Sequence, residues 1–481
     1  MNLDKNASHQ QSTQRAEQTA LHCKQTFQQH IDDLITLAKI PSISFDGYPE
    51  SEVKRSADAV AQLLKKTGLE NVEILTLSGA HPYVYGEWIK KPGAPTAVLY
   101  AHHDVQPVGR ESVWQSKPFE PVIKPGPGGQ RLYGRGTADD KAGIVVHTAA
   151  IASYLQTCKE LPINVKVLIE GEEEIGSTHL EQFLKKYQDK LKADVIILTD
   201  TSNYDCGKPA LTVALRGMVG VEVEVRALQK TVHSGMWGGP VPDPVMALSK
   251  MLSNLVSEDG QIKINGVLEQ VKPISPSEQQ RLNQIPYDEK VFREQVGMVS
   301  GAKILKDSRI NPISQIWRLP SLTVNAIQAS SRTQAGNIIN DVAWAKVTIR
   351  LVDGMDPERT KNLLIDELKK QCPWGLEVHI KSLDQAGAWS TEPVGPAFDA
   401  AKVSMQKGYG VEPYFMGCGG TIPFVKPFAD VLGGVPALLI GVEDPYTNAH
   451  GENESLLLSD FENACVSQIY LFEELGKNLC K

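Results

Sequence analysis

The sequence predicts an α/β protein: a mixed, largely parallel sheet covered by helices, with a smaller α+β domain inserted into it. Three observations carry that reading. Short β-branched runs alternate with helical segments up to about position 211, the pattern of parallel strands joined by crossover helices. The alternation then breaks and resumes near position 396. The 481 residues exceed one domain, while 41% hydrophobic and 22% charged residues are ordinary globular composition.

The elements follow in order. Residues 1–20 read as a polar tail or frayed helix start. An apolar period near 3.6 predicts a helix over 27–40, stopped by Pro41, and a second over 52–66, closed by Gly68. Strands are expected at 72–77, 97–101, 165–170 and 195–199, with helices at 141–155 and 178–190. Ligands in such sheets bind at the carboxyl ends of the strands. Past Leu211 the pattern changes to a long strand at 213–226, a helix at 243–255 and a loop-rich stretch over 257–319. A strand at 344–351, a helix at 357–371 and a strand at 376–380 complete the insert. A helix at 396–407, a buried strand at 437–441 and a last helix at 459–477 return to the first pattern. The expected domains are therefore 1–211 with 396–481, and an inserted domain over 212–395 large enough to serve as a lid that also dimerises.

The charge sum, 49 − 57 = −8 with a pI near 5.8, argues against a nucleic-acid partner and gives no support to an anionic membrane. Seven scattered cysteines without a C-x-x-C pair suggest neither a disulfide framework nor a thiolate zinc site. The Gln-rich start has no apolar signal core, and the longest uncharged stretch, 142–158, contains His147, Thr148, Ser153 and Gln156. The expectation is a soluble, cytoplasmic protein.

Ionisable residues fall where the strands end. Strand 97–101 runs into His102-His103-Asp104, and strand alternation puts His102 and Asp104 on one side. A metal-ligating His commonly gives its second N–H to a carboxylate, a role Asp104 fits, although a strand-end His alone is more often only hydrogen-bonded. The junction 134–141 brings Asp139 and Asp140 into a helix start. They could simply cap it. Its glycine spacing is not a dinucleotide fingerprint, and two carboxylates would repel a phosphate. Glu170 to Glu174 would read alone as a solvated acidic run, Asp200 closes strand 195–199, and His450 follows the last strand. Together these residues define one rim. Two His and three carboxylates suit a pair of ions such as Zn²⁺. Two metals, three carboxylates and a bridging hydroxide would sum to zero charge.

The segments H-H-D-V-Q-P at 102–107, G-R-G-T-A-D-D-K-A-G at 134–143 and E-G-E-E-E-I-G-S at 170–177 resemble the carnosinase-like metallopeptidases. This zinc family also holds succinyl-diaminopimelate desuccinylase, aminoacylase and glutamate-releasing carboxypeptidases. V-H-S-G at 232–235 and N-A-H-G at 448–451 continue the match in order, so the resemblance covers about 30–475. It implies that Asp139 bridges two metals, with His102 and Asp200 completing one sphere and Glu174 and His450 the other. It further implies Glu173 as general base, Asp104 as orienter of His102, and His233 as a residue crossing a dimer interface into the partner's site. Asn337 and Arg350 would hold the substrate carboxylate, with Gly420 and Thr421 as nearby donors. Three positions depart from the family: Ala101, His103, and the stretch 384–388, which has no His ahead of Trp389.

The implied activity is a metal-dependent hydrolase that cleaves dipeptides or small peptides with a free C-terminal carboxylate, through a metal-bridging hydroxide. The alternatives are an N-acyl amino acid deacylase, such as a desuccinylase, or a glutamate-releasing carboxypeptidase. Two divalent ions per subunit are expected, zinc first and manganese or cobalt next, in a homodimer. A metal-free binding relative should have lost ligands or the base, yet all six positions are filled.

Overall fold

The structure is a computed structural model and describes residues 2–307, 310–333, 335–383, 385–420 and 425–479. The chain divides into two compact units, residues 1–213 with 392–416 and 424–481, and residues 214–391 with 417–423.

The first unit is built on a sheet whose centre is parallel. Asn164–Glu170, Thr96–His102, Val195–Leu198 and Ala437–Leu439 lie side by side in that order. Nearly every residue of these four strands is buried, because helices cover both faces; hence the unbroken apolar runs in the sequence. Tyr83–Trp88 and Glu70–Leu75 add antiparallel strands on one side, and Ala210–Leu215 adds one on the other. His102 pairs in register with Glu170, so the carboxyl ends of neighbouring strands stand level. The helix Lys141–Thr157 is apolar on nearly all sides and accordingly buried, packed against Thr96–His102 and the last helix, Leu458–Asn478.

Several elements differ from the sequence expectation. The N-terminal stretch is a helix, Asn2–Gln25, rather than a tail. Ala16, Thr19, Ala20 and Cys23 repeat at helical spacing and are buried, and Arg15 pairs with Glu473 at 2.9 Å. The expected helix at 178–190 breaks at Tyr187 into Leu180–Lys186 and Gln188–Leu191, with the Tyr187 ring against Phe183. A three-stranded sheet of Val122–Gly126, Gly129–Tyr133 and Ser455–Leu457 was not anticipated.

The second unit has a four-stranded antiparallel sheet ordered Ser321–Gln328, Val342–Leu351, Gly217–Arg226, Glu377–Ser382. Val219, Val221, Val223 and Val225 alternate inward with Ala343, Ala345, Val347 and Ile349, beneath the helices Pro244–Ser253 and Pro357–Gln371. The expected long strand at 213–226 is two strands, divided at Arg216. Gly217 sits where an added Cβ would meet the Ala386 carbonyl at 2.4 Å, so the crossing requires glycine. Among its described residues the loop-rich stretch contains three short α-helices, Pro276–Gln284, Glu289–Gln295 and Pro312–Arg318. Ser275, Asp288 and Asn311 cap them through their side chains. No helix among the described residues is long and apolar enough to cross a membrane.

Candidate active site

Six of the expected residues meet at the carboxyl end of the parallel sheet in the first unit. His102 is buried, its Nε2 3.1 Å from Asp139 Oδ1, 3.8 Å from Asp200 Oδ1 and 4.0 Å from Glu173 Oε2. Asp139 turns its other oxygen, Oδ2, to His450 Nε2 at 3.1 Å, and His450 stands 3.3 Å from Glu174 Oε2. One carboxylate thus faces two imidazoles with separate oxygens. Two donor sets each have their ligand atoms within 4.8 Å of one another: His102 with Asp139 and Glu174, and His102 with Glu173 and Asp200.

Local folding explains these positions. His102 ends a buried strand, and the Asp140 carboxylate accepts its backbone N–H at 3.2 Å. Its Nδ1 lies 3.1 Å from the Asp104 carbonyl and 3.4 Å from the Asp104 carboxylate. The Asp104 carboxylate also accepts from Ser44 Oγ (2.7 Å) and from the backbone N–H groups of Glu173 (3.2 Å) and Glu174 (3.0 Å). It therefore orders the Glu173–Glu174 turn as well as facing His102. Glu174 is held on both oxygens by Gln106, through the backbone N–H at 3.0 Å and Nε2 at 2.7 Å. Glu173, by contrast, has no side-chain hydrogen bond among the described residues. His103 points the other way, to the Pro82 carbonyl.

The 170–174 run is not a solvated one. Glu170 and Glu172 are fully buried. Tyr83 and Tyr100 donate to Glu170, and Tyr83 and His179 to Glu172. The loop carrying His450 is wound through left-handed backbone at Asn448, His450 and Asn453. For His this is an uncommon conformation, of the kind found at functional sites. The His450 side chain is 60% exposed and gives the cluster an open face.

Electrostatics supply the test of fit for a metal. Four carboxylates, Asp139, Glu173, Glu174 and Asp200, crowd around two imidazoles. Burial and then Asp200 push Glu173 well above the usual carboxylate range, and burial with Asp139 raises Glu174 to about 7. Burial raises Asp200 as well. Burial alone would lower His102, but Asp104, Asp139 and Asp200 together hold it well above an ordinary imidazole. Asp139 and Glu174 lift His450 to about 11. The cluster recruits protons to balance its negative charge, and divalent cations on the same nitrogen and oxygen donors meet that demand. The residues fit a pair of metal ions.

The second unit brings other expected residues together. The short strand Val232–His233 pairs with Ile338–Ile339, and the Asn337 carbonyl accepts the Ser234 N–H at 2.9 Å, so His233 and Asn337 are neighbours. His233 is exposed, and its Nδ1 accepts from Gly235 N at 3.0 Å. Arg350 lies on Val342–Leu351, half-buried, opposite Met218 and Ser321. Sequence reasoning missed Arg216. It is buried, its backbone N–H donates to the Gly420 carbonyl at 3.1 Å, and its guanidinium donates to Ser321 Oγ. Burial and the nearby Arg350 lower it to about 10. The guanidiniums of Arg216 and Arg350 thus form a cationic pair suited to an anion. Thr421 and Asp384 lie outside the described residues.

Comparison with known proteins agrees with this chemistry. The chain is 29% identical over 428 residues to cysteinylglycine-S-conjugate dipeptidase of Corynebacterium striatum, covering 88% of this chain and 90% of that protein. Its fold matches the di-peptidase Dug1p of Saccharomyces cerevisiae with a TM-score of 0.84 at 25% identity, over 96% of this chain and 98% of the other. Human carnosine dipeptidase 1 matches with a TM-score of 0.83 at 25% identity, over 96% and 99%. The model of "Peptidase family M20/M25/M40" matches residues 98–473, and the chain belongs to that family.

Proposed function

We propose that this protein is a metal-dependent dipeptidase, acting on dipeptides or small peptides with a free C-terminal carboxylate. The observation that carries it is the Asp139 carboxylate, which turns one oxygen to His102 and the other to His450. In this reading Asp139 would hold both metals, with His102 and Asp200 as further ligands of one and Glu174 and His450 of the other. Zinc suits the mixed His and carboxylate donors, as do manganese and cobalt. Bound there, the ions would supply an activated water and polarise the scissile carbonyl.

The protein's own groups do the rest. Glu173 takes the proton of the attacking water and passes it to the leaving amine; its carboxylate has no hydrogen bond to break among the described residues. Asp104 keeps the His102 ring and the Glu173 turn in place. His233, reaching in from a partner subunit of a homodimer, steadies the developing oxyanion. Asn337, Arg350 and Arg216 hold the substrate carboxylate, with Gly420 as a further contact. The inserted unit is the lid and dimerisation domain. The negative net charge favours neither nucleic acid nor an anionic membrane as partner, and scattered cysteines that form no disulfide among the described residues suit a reducing cytoplasm.

A panel of dipeptides, their C-terminal amides and N-acyl amino acids, assayed with Zn²⁺, Mn²⁺ or Co²⁺, tests this. Dipeptides should be hydrolysed and their amides refused. Preferential turnover of N-acyl amino acids would make the protein a deacylase instead.

A further inference from the structure

Glu454 stands four residues beyond His450, directly before the strand Ser455–Leu457. Its carboxylate is fully buried and takes four donors. Oε1 accepts from the backbone N–H groups of Ala138 (3.0 Å) and Asp139 (3.2 Å). Oε2 accepts from Arg135 Nη1 (2.7 Å) and Gly136 N (3.0 Å). The Glu454 carbonyl accepts from Gly134 N at 3.0 Å. Arg135, itself buried, uses Nη2 to donate to the carbonyls of Pro107 and Gly451, each at 3.0 Å. One carboxylate–guanidinium pair therefore ties together the segments after His102, before Asp139 and after His450.

The segment 134–139 belongs to no helix or strand, so no hydrogen-bond ladder fixes it. Three of its four N–H groups from Gly136 to Asp139 converge on this single side chain instead. A buried arginine needs one acid to balance it; it does not need the backbone of the neighbouring loop to close on the same acid. What the convergence does fix is the placement of Asp139, which must present separate oxygens to His102 and His450. Constellations of this kind work only when held within about 0.5 Å by surrounding hydrogen bonds.

We propose that Glu454 is a positioning residue for the metal centre: it sets where the Asp139 carboxylate stands between His102 and His450. The proposal rests on the metal-centre reading above. It follows that Glu454 governs metal affinity and turnover, and leaves substrate affinity nearly untouched.

The test compares Glu454→Gln with Glu454→Asp in the full-length protein. Gln matches the shape but has one acceptor oxygen, so its NH₂ must face either Gly136 and Arg135 or Ala138 and Asp139, donor against donor. Asp keeps the charge and both oxygens, drawn back by one methylene. Affinity for Zn²⁺ and Co²⁺ is measured by chelator competition, the visible spectrum of the Co²⁺ form is recorded, and kcat and KM are taken for a dipeptide at saturating metal. Glu454→Gln should bind metal roughly 10–100-fold more weakly. Its Co²⁺ spectrum should shift and kcat fall, with KM within about twofold of wild type, and Glu454→Asp should recover part of the affinity. If Glu454→Gln binds metal as wild type does with an unchanged spectrum, the proposal falls, whatever its melting temperature. Should the Gln variant not fold, the Asp variant decides by the same two readouts. Failure of the metal-centre reading itself is separable, because wild type would then bind neither Zn²⁺ nor Co²⁺.

Discussion

Glu173 and Glu174 are neighbours in opposite surroundings, and changing each to Gln separates proton handling from metal holding. Both oxygens of Glu174 are taken by Gln106, at 3.0 and 2.7 Å, with His450 at 3.3 Å. A Gln there offers one acceptor, so its NH₂ meets a donor. Leaving such a buried group mispaired costs about 1–3 kcal/mol, before any loss of metal binding. No donor lies within hydrogen-bond reach of the Glu173 carboxylate among the described residues, and its nearest imidazole nitrogen is 4.0 Å away. Glu173→Gln should therefore fold at least as stably as wild type, because it removes the carboxyl that burial and Asp200 disfavour. Removing a general base costs roughly 10²–10⁴-fold in rate, about 3–5 kcal/mol of barrier. The assay is kcat on a dipeptide at saturating metal, with elemental analysis after dialysis and thermal melting. Glu173→Gln should keep two metals and lose most turnover, while Glu174→Gln should lose metal. The reverse outcome would assign Glu173 to the second donor set, with His102 and Asp200, and refute the proposed roles.

Three further outcomes are expected. Arg350→Ala and Arg216→Ala should lower kcat/KM for free dipeptides, by roughly 2–5 kcal/mol for a desolvated pair, with metal content intact. Arg350→Lys should recover only part, because a point charge cannot replace a planar fork; equal cleavage of a dipeptide and its amide by wild type would contradict the anchor. If His233 serves the partner's site, mixing inactive His233→Ala with inactive Glu173→Gln subunits should restore some activity, and no recovery despite proven exchange removes it from that role. His147 is buried with its folded pKa lowered from 6.5 to about 4 by burial, against a hydrogen bond with the Tyr100 carbonyl that raises it. Below about pH 6.5 the unfolded chain takes up a proton the folded one refuses, so this residue's stabilising contribution falls as pH drops towards about 4. The loss should be about 2 kcal/mol between pH 7 and pH 5. Urea unfolding at both values should show a slope that His147→Gln reduces, and an unchanged slope would refute the assignment.

The parallel core was legible because burial on both faces leaves unbroken apolar runs: Thr96–His102 and Val195–Leu198 lie within a residue of expectation. The helix Pro357–Gln371 was legible at both ends, since Asp356 caps it and proline occupies its first turn. Strand Ser321–Gln328 was not: Leu322, Val324 and Ala326 alternate with polar residues, but most of its side chains are exposed, so the alternation marks no buried face. The N-terminal helix was hidden by polar composition, its buried stripe consisting of small residues. At the site, strand alternation placed His102 and Asp104 on one side. The parts that long-range folding decides stayed invisible: Asp104 holding the Glu173–Glu174 turn, Gln106 holding Glu174, Arg216 beside Arg350, and Glu454 closing on a loop more than 300 positions away. No local period or spacing encodes such contacts, and an acid in E-N-E reads alone as a surface residue.

The most direct test of the account is a metal titration of hydrolysis. Protein stripped by a chelator and then dialysed should be folded but inactive on a dipeptide. Activity should return on adding Zn²⁺, Mn²⁺ or Co²⁺ and reach its plateau at two ions bound per chain. Full hydrolysis by the stripped protein, or a plateau reached with no metal bound, would contradict the metal-centre reading on which the rest depends.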